Sequence, residues 1–357
     1  MTGSKNAQGE TTWGGLAEEV RYWGNWVLKQ VKAEIGDLYP PIPDPTHKGK
    51  RQAVQTDCLK EHDTDDVPSG YLTPIAYLWT RTVTCKNPNC KATVPLVKQT
   101  WLCRRKDRYI ALKTVAPRNA KAVRFERVES RNEKGLGFDP SIGSEGGNAP
   151  CPFCHTIANA DYVQQEGIEK RIGKQLMAVV CTRPGFTGKT YLGAGDVPET
   201  AHPDNVAIQR RIDDLCGRSH LRVPDEQIDP LRPSPNARGL SAVTRHGLMT
   251  FGDLFTNRQT LCLLAFAQGV QQSAAEMKAI GCEDHHAKAV STFLGILVDR
   301  QADKLSTFAR WDNTRENCQG TFGRHAIGMV WDFVEPCPLG EASGGSRRRS
   351  GLDSRFR

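Results

Sequence analysis

Tyr71-Leu72-Thr73-Pro74-Ile75-Ala76-Tyr77-Leu78-Trp79-Thr80-Arg81-Thr82-Val83-Thr84 runs without a break into Cys85-Lys86-Asn87-Pro88-Asn89-Cys90. The first part is aromatic and β-branched, as a half-buried strand requires. The second part folds back on itself through Asn and Pro, which brings two thiols to one place. A strand feeding a thiol turn is half of a metal ribbon, and Cys151-Pro152-Phe153-Cys154 supplies the other half. The first pair has four intervening residues, the second two, and residues 91–150 separate them. Four thiolates at roughly 2.3 Å satisfy a tetrahedral structural zinc. His155 is a possible substitute for Cys154, and a pair of unliganded surface turns is the plain alternative.

The other eight cysteines (Cys58, Cys103, Cys181, Cys216, Cys262, Cys282, Cys318, Cys337) are scattered singly and read as small hydrophobes. A disulfide framework is not expected, because the N-terminus lacks the layout of a secretion signal and 357 residues can form a core without staples. The expectation is a reducing compartment, the cytoplasm. The longest strongly apolar stretch, 261–267, is far short of the roughly 20 residues that cross a bilayer, so no membrane span is expected. Net charge is +8, but Arg81 to Lys134 alone holds fifteen Lys/Arg against four Asp/Glu, an excess of 11. The positive charge therefore belongs to the ribbon segment, and the rest of the chain is mildly acidic. Over a longer span Trp79, Trp101, Tyr109 and Phe125 interleave with Arg104, Arg105, Lys106 and Arg108. That mixture suits phosphate contact and base stacking, or else a solvated sheet face.

Working outward, residues 1–12 are polar and expected to be disordered. Leu16, Val20, Trp23, Val27, Val31 and Ile35 recur at spacings of three and four, which predicts one amphipathic helix ending before Tyr39-Pro40-Pro41. A linker is expected up to residue 69. Short strands are expected over 92–97, 100–103, 108–114 and 122–128, then a Gly/Ser-rich connector to 148, a helix over 162–172 and a strand over 176–182. Gly185-Phe186-Thr187-Gly188-Lys189-Thr190 imitates a phosphate-binding loop, but Arg183 stands where that motif needs glycine and no helical pattern follows. A hairpin turn is the expectation. Residues 184–242 look like a boundary, with one helical candidate over 205–215. Thr256-Asn257-Arg258-Gln259 has the form of a capping box ahead of a helix to about Ile280. A second helix follows from about His285. Glu283, Asp284, His285 and His286 read as a polar helix start, since adjacent side chains on a helix diverge. Asp299, Arg300, Asp303, Lys304 and Asp312 read as surface ion pairs or a polar face.

The predicted class is α+β, with an N-terminal helical arm, a β-rich zinc-ribbon region and a helical C-terminal half. The expected divisions are 1–12 disordered, 13–69 helix plus linker, 70–195 ribbon domain, 196–242 linker, 243–340 helical domain and 341–357 disordered basic tail.

Several segments carry a family resemblance. They are Leu16-Ala17-Glu18-Glu19-Val20-Arg21-Tyr22-Trp23-Gly24, Leu78-Trp79-Thr80-Arg81-Thr82-Val83, Gln175-Leu176-Met177-Ala178-Val179-Val180 and Met249-Thr250-Phe251-Gly252-Asp253-Leu254-Phe255-Thr256. Arg310-Trp311-Asp312 and Met329-Val330-Trp331-Asp332-Phe333-Val334-Glu335-Pro336 complete the set. In this order they resemble the middle of zinc-ribbon-containing adenine-specific DNA methylases, large prokaryotic proteins of which some occur in anti-phage islands. The resemblance covers about residues 13–340 and implies that Cys85, Cys90, Cys151 and Cys154 hold the family's zinc, with DNA as partner. It also implies S-adenosylmethionine in the complete enzyme. The departures matter as much. The family's glycine-rich cofactor turn precedes this region, and its catalytic Asp-Pro-Pro-Tyr follows it. Phe138-Asp139-Pro140-Ser141 and Asp229-Pro230-Leu231-Arg232 lack the second proline and the aromatic residue that would stack on a flipped adenine. The expectation is a central portion with no catalytic or cofactor-binding residue of its own. A truncated or frameshifted product, or one part of a split enzyme working with a complementing methylase segment or defence-system subunits, fits that expectation. A non-catalytic zinc-stabilised nucleic-acid-binding or scaffold subunit of a phage-defence complex is the alternative.

Overall fold

The structure, a computed structural model, describes residues 4–5, 11–12, 15–49, 67–202, 204–230, 242–323 and 327–340. Of the two tails expected to be disordered, 4–5 and 11–12 pair as a two-residue antiparallel ladder. The remainder of 1–12 and all of 341–357 lie outside the described residues, as does Cys58.

Strand β2 (Tyr71–Thr84) is the axis of the molecule. Along one edge it pairs antiparallel with β9 (Gly173–Thr182), which continues through a hairpin to β10 (Thr190–Gly193). Along its length β2 also takes β1 (Ile42–Pro43), β13 (Asp332–Pro336) and β3 (Thr93–Pro95). The Gly185 to Thr190 imitation of a phosphate loop is the β9–β10 turn, with Gly185 (φ 74°) and Gly188 (φ 106°) taking the left-handed conformations that glycine permits. A bulge at Val180/Cys181 falls opposite Pro74, which cannot donate to the ladder.

Period-two alternation gives this sheet two apolar faces, which is why β2 is buried over most of its length. Tyr77, Trp79, Val179, Cys181, Leu192 and Phe333 face a helical layer, while Ala76, Leu78, Ala178, Val180, Tyr191 and Val334 face a second sheet. The helical layer comprises α1 (Leu16–Ile35), α3 (Asn205–Ser219), α4 (Asn257–Ala279) and α5 (Asp284–Lys304). Val20, Trp23, Val27, Val31 and Ile35 of α1 are all buried, as their spacing predicts. Helices α1 and α4 meet so closely that a Cβ at Gly269 would come within 2.9 Å of Val27 Cγ1. The capping box forms: Gln259 N donates to Thr256 Oγ1 at 3.2 Å, and Thr256 N donates to Gln259 Oε1 at 2.9 Å.

The second sheet is β4 (Trp101–Arg105), β5 (Arg108–Val115) and β6 (Arg124–Ser130) in that order, antiparallel throughout. Helix α2 (Ala160–Ile168) is shorter than expected, since the chain turns at Lys170 with φ 56° and Arg171 N closes back on Glu166 O at 2.8 Å. Ile172 therefore lies beyond the helix, and β9 begins three residues before the expected Leu176. The α+β class holds, with helices at both ends of the chain and sheets in the middle. Within 243–340 there are also the ladder β11 (Arg310–Asp312) with β12 (Asn317–Gln319), and β13, which runs into the central sheet. One hydrophobic cluster gathers side chains from Val20 to Leu339. Among the described residues no helix is long and apolar enough to cross a membrane.

Candidate metal centre and its basic surroundings

Each cysteine pair sits in the turn of a hairpin. The end of β2 and the start of β3 pair at Thr84 and Thr93, enclosing Cys85 and Cys90. The short strands β7 (Ala149–Pro150) and β8 (Ile157–Ala158) pair around Cys151 and Cys154. The two knuckles share a backbone pattern. In the first, Cys85 N donates to Ala92 O at 2.7 Å and Cys90 N to Asn87 O at 3.0 Å. In the second, Cys151 N donates to Thr156 O at 3.0 Å and His155 N to Cys151 O at 2.9 Å. The residue after each second cysteine is left-handed: Lys91 at φ 50° and His155 at φ 61°.

The four sulfurs all lie within 4.8 Å of one another, with Cys85 to Cys154 at 3.6 Å and Cys90 to Cys151 at 3.8 Å. A tetrahedron with arms of about 2.3 Å has edges of about 3.8 Å, which the Cys85–Cys154 and Cys90–Cys151 separations match. The donor set is soft and complete, and the cluster can hold a metal such as zinc. Cys85 and Cys151 are buried against Val83, Val94, Leu96, Ala149 and Val163, a small core belonging to the ribbon. Burial pushes the Cys85 thiol up to about 12, while hydrogen bonding with Thr156 draws Cys154 down to about 6. His155 is exposed and outside the ligand group, so its expected role as a substitute for Cys154 is not supported. Its left-handed backbone is what closes the knuckle.

Left-handed non-glycine residues cost roughly 1–2 kcal/mol, partly offset by the unfolded-state freedom that glycine adds. Lys91→Gly and His155→Gly are each expected to stabilise the metal-loaded chain by about 0.5–1 kcal/mol in chemical denaturation. A drop in stability would mean that the Lys91 or His155 side chain holds the knuckle by an interaction of its own.

Among the described residues this is the one group of three or more His, Cys, Asp or Glu arranged to hold a metal. Glu283, Asp284, His285 and His286 do not converge. His285 Nδ1 lies 3.1 Å from Glu283 and Lys278 Nζ lies 3.0 Å from Asp284. Phe138-Asp139-Pro140-Ser141 forms a turn in which Ser141 N donates to Asp139 Oδ1 at 2.8 Å and Thr100 N to Pro140 O at 2.8 Å. Asp303 accepts from Phe322 N at 2.8 Å, and Asp312 from the amides of Thr314 and Arg315 at 2.9 Å each, which orders loops. Cys103, Cys181, Cys262, Cys318 and Cys337 are buried free thiols, whereas Cys216 and Cys282 are half-buried.

The four basic candidates lie around the β4–β5 turn, but three are engaged within the fold. Arg104 Nε meets Glu133 at 2.8 Å and the guanidinium lies 5.3 Å from the Trp101 ring centre. Arg105 Nε meets Glu316 at 2.9 Å. Arg108 pairs with Glu129 at 3.4 Å and donates to Lys189 O at 2.8 Å. Lys106 stands exposed in the turn itself.

Sequence reasoning missed a second polar cluster altogether. Arg258 and Glu335, 1% and 2% exposed, form a bidentate pair at 2.7 and 3.0 Å between α4 and β13. Trp79 Nε1 donates to Glu335 at 3.0 Å, Arg258 Nη1 to Leu38 O at 3.2 Å, and the guanidinium lies 4.8 and 4.3 Å from the Tyr39 and Tyr77 ring centres. Burial alone would push Arg258 down and Glu335 up. Their attraction reverses both directions, so the pair is charged. No local signal in the sequence marks the pair, since each residue read alone looks like a surface charge.

Comparison with family models, curated proteins and solved structures finds no match to this chain.

Proposed function

We propose that this chain is the DNA-contacting, zinc-clamped portion of an adenine-N6-specific DNA methyltransferase. The observation that carries the reading is the four-sulfur cluster, which ties two hairpins 60 residues apart in sequence (91–150) into one body beside the most basic segment of the chain. Its four cysteines are the ones that the resemblance would make the family's zinc ligands. In this reading the zinc is structural. Four sulfurs fill a tetrahedral site and leave no position for water, so the ion supplies cross-linking and not Lewis-acid chemistry. The protein's own residues bind and orient DNA. The sequence contains no Asp-Pro-Pro-Tyr, so S-adenosylmethionine and the flipped adenine are assigned to a complementing methylase segment or partner subunit, in the cytoplasm. The alternative is a non-catalytic zinc-stabilised nucleic-acid-binding or scaffold subunit of a phage-defence complex, and the pairing of Arg104, Arg105 and Arg108 with carboxylates favours its scaffold form, because paired cations have less charge to offer phosphates.

Calorimetry separates the two. The first reading expects the chain to bind duplex DNA with affinity falling steeply with salt, and to bind S-adenosylmethionine only when a complementing chain is added. The alternative subunit binds no S-adenosylmethionine, alone or with a complementing chain, and in its scaffold form binds no DNA either.

A further inference from the structure

We propose that the DNA-facing surface is a cationic platform around the first knuckle, made by Lys86, Lys91, Arg118, Lys121 and Arg124, and not the Arg104 to Arg108 turn. The inference rests on the reading that the partner is duplex DNA, and it names the surface that would meet the phosphates.

The platform follows from how the β5–β6 hairpin closes. Val115 pairs with Arg124, so residues 116–123 form its loop. That loop is laid on the knuckle: Thr93 N donates to Lys121 O at 2.6 Å, and Lys121 Nζ donates to Cys90 O at 2.9 Å. Two segments distant in sequence thus become one surface. Residues 86–91 and 116–125 contain no Asp or Glu, and all five cations are exposed. Lys86 Nζ reaches a neutral partner, Asn159 Oδ1, at 3.3 Å. The charge here is not neutralised in the way Glu133, Glu316 and Glu129 neutralise Arg104, Arg105 and Arg108. Acidic residues resume at Glu126, opposite Lys113 on the ladder, which marks one limit of the platform.

The arrangement suits a phosphate backbone better than base edges. Its cations stand on two turns and a strand end without a protruding helix or long ribbon to enter a groove, so it would supply affinity and register with little sequence information. It also couples binding to the metal, because the carbonyl that anchors Lys121 belongs to a cysteine ligand.

The test is fluorescence anisotropy of the full chain on a short labelled duplex between 50 and 200 mM salt. The variant combines Lys86→Gln, Lys91→Asn, Arg118→Gln and Arg124→Gln, with asparagine at 91 to tolerate the left-handed backbone and Lys121 left in place. Metal content is measured on each preparation to show that the knuckle is intact. The expected result is a fall in affinity of about tenfold or more at the lowest salt, with the slope of log affinity against log salt shallower by about 0.9 for each phosphate no longer neutralised. Arg104→Gln with Lys106→Gln should cost less than about threefold, since Arg104 is already paired. Wild-type binding that survives unchanged in the platform variant overturns the inference and leaves the proposed function standing. Failure of the wild type to bind duplex DNA at any salt overturns both. A preference of the wild type for anionic vesicles over DNA also overturns the platform's assignment.

Discussion

Arg258→Ala should destabilise the chain by about 3–5 kcal/mol, the largest effect expected of any substitution away from the metal centre. The cost does not come from losing an attraction alone. Without Arg258, Glu335 would either stay charged in a buried site with Trp79 Nε1 as its remaining hydrogen-bond donor or take up a proton to escape that cost, and either outcome destabilises the fold. The pair joins α4, the central strand β2, the Leu38 carbonyl and β13 at one point, so removing it loosens the helical layer and the C-terminal strand together. A control separates an uncompensated charge from impaired packing. Arg258→Met combined with Glu335→Leu removes both charges and should recover much of the stability, leaving a deficit of about 1 kcal/mol for the orphaned indole N–H. Urea titration followed by tryptophan fluorescence measures both. A double variant as unstable as the single one would show that the aromatic cage around the guanidinium, and not charge balance, sets the cost.

Cys151→Ser should do more local damage and less global damage. Structural zinc contributes on the order of 10–16 kcal/mol to small domains that fold only around it. Here the ribbon is an extension of β2, which remains held by β9 and β13. The expectation is loss of the metal and rapid hydrogen exchange at amides of residues 85–97 and 149–158, with exchange in 73–80 and 176–181 left slow. The small core of Val83, Val94, Leu96, Ala149 and Val163 is too thin to hold two hairpins together without the cross-link. Cys181→Ser is the comparison: that buried thiol lies outside the cluster, and the change should leave metal content intact. Fast exchange throughout the central sheet in Cys151→Ser would mean that the metal supports the whole fold.

Much of this was legible in the sequence because the relevant signals are local. The apolar stripe of α1, the capping box at Thr256 and the aromatic run of β2 each declare an element within a single window. The four cysteines declared themselves by type and turn context, although the sixty residues between the pairs (91–150) gave no geometric reason for them to meet. What brings them together is β2 and its neighbours, which hold both hairpins against one core. Longer-range facts stayed hidden. Arg104, Arg105 and Arg108 look free in a charge count, yet their partners are 29, 211 and 21 residues away (Glu133, Glu316, Glu129). The strand β13 is five residues long and its register with β2 depends on tertiary pairing, so no periodicity marks it. Arg258 and Glu335 were equally invisible, because each looks like a surface charge until the other is seen.

The cationic platform illustrates the same division. The acid-free stretches are plain in the sequence, but only the bonds from Thr93 N to Lys121 O and from Lys121 Nζ to Cys90 O join them into one surface.

The zinc-clamped ribbon and the proposed platform both depend first on whether the four sulfurs hold a metal. Elemental analysis of the purified chain, combined with X-ray absorption at the zinc edge, measures it directly. The prediction is one zinc per chain bound by four sulfurs at about 2.3 Å, absent from the Cys85→Ser and Cys151→Ser variants and retained in Cys181→Ser. A folded wild-type chain that carries no metal after purification in zinc-containing medium, or one whose zinc has nitrogen or oxygen ligands, would contradict it.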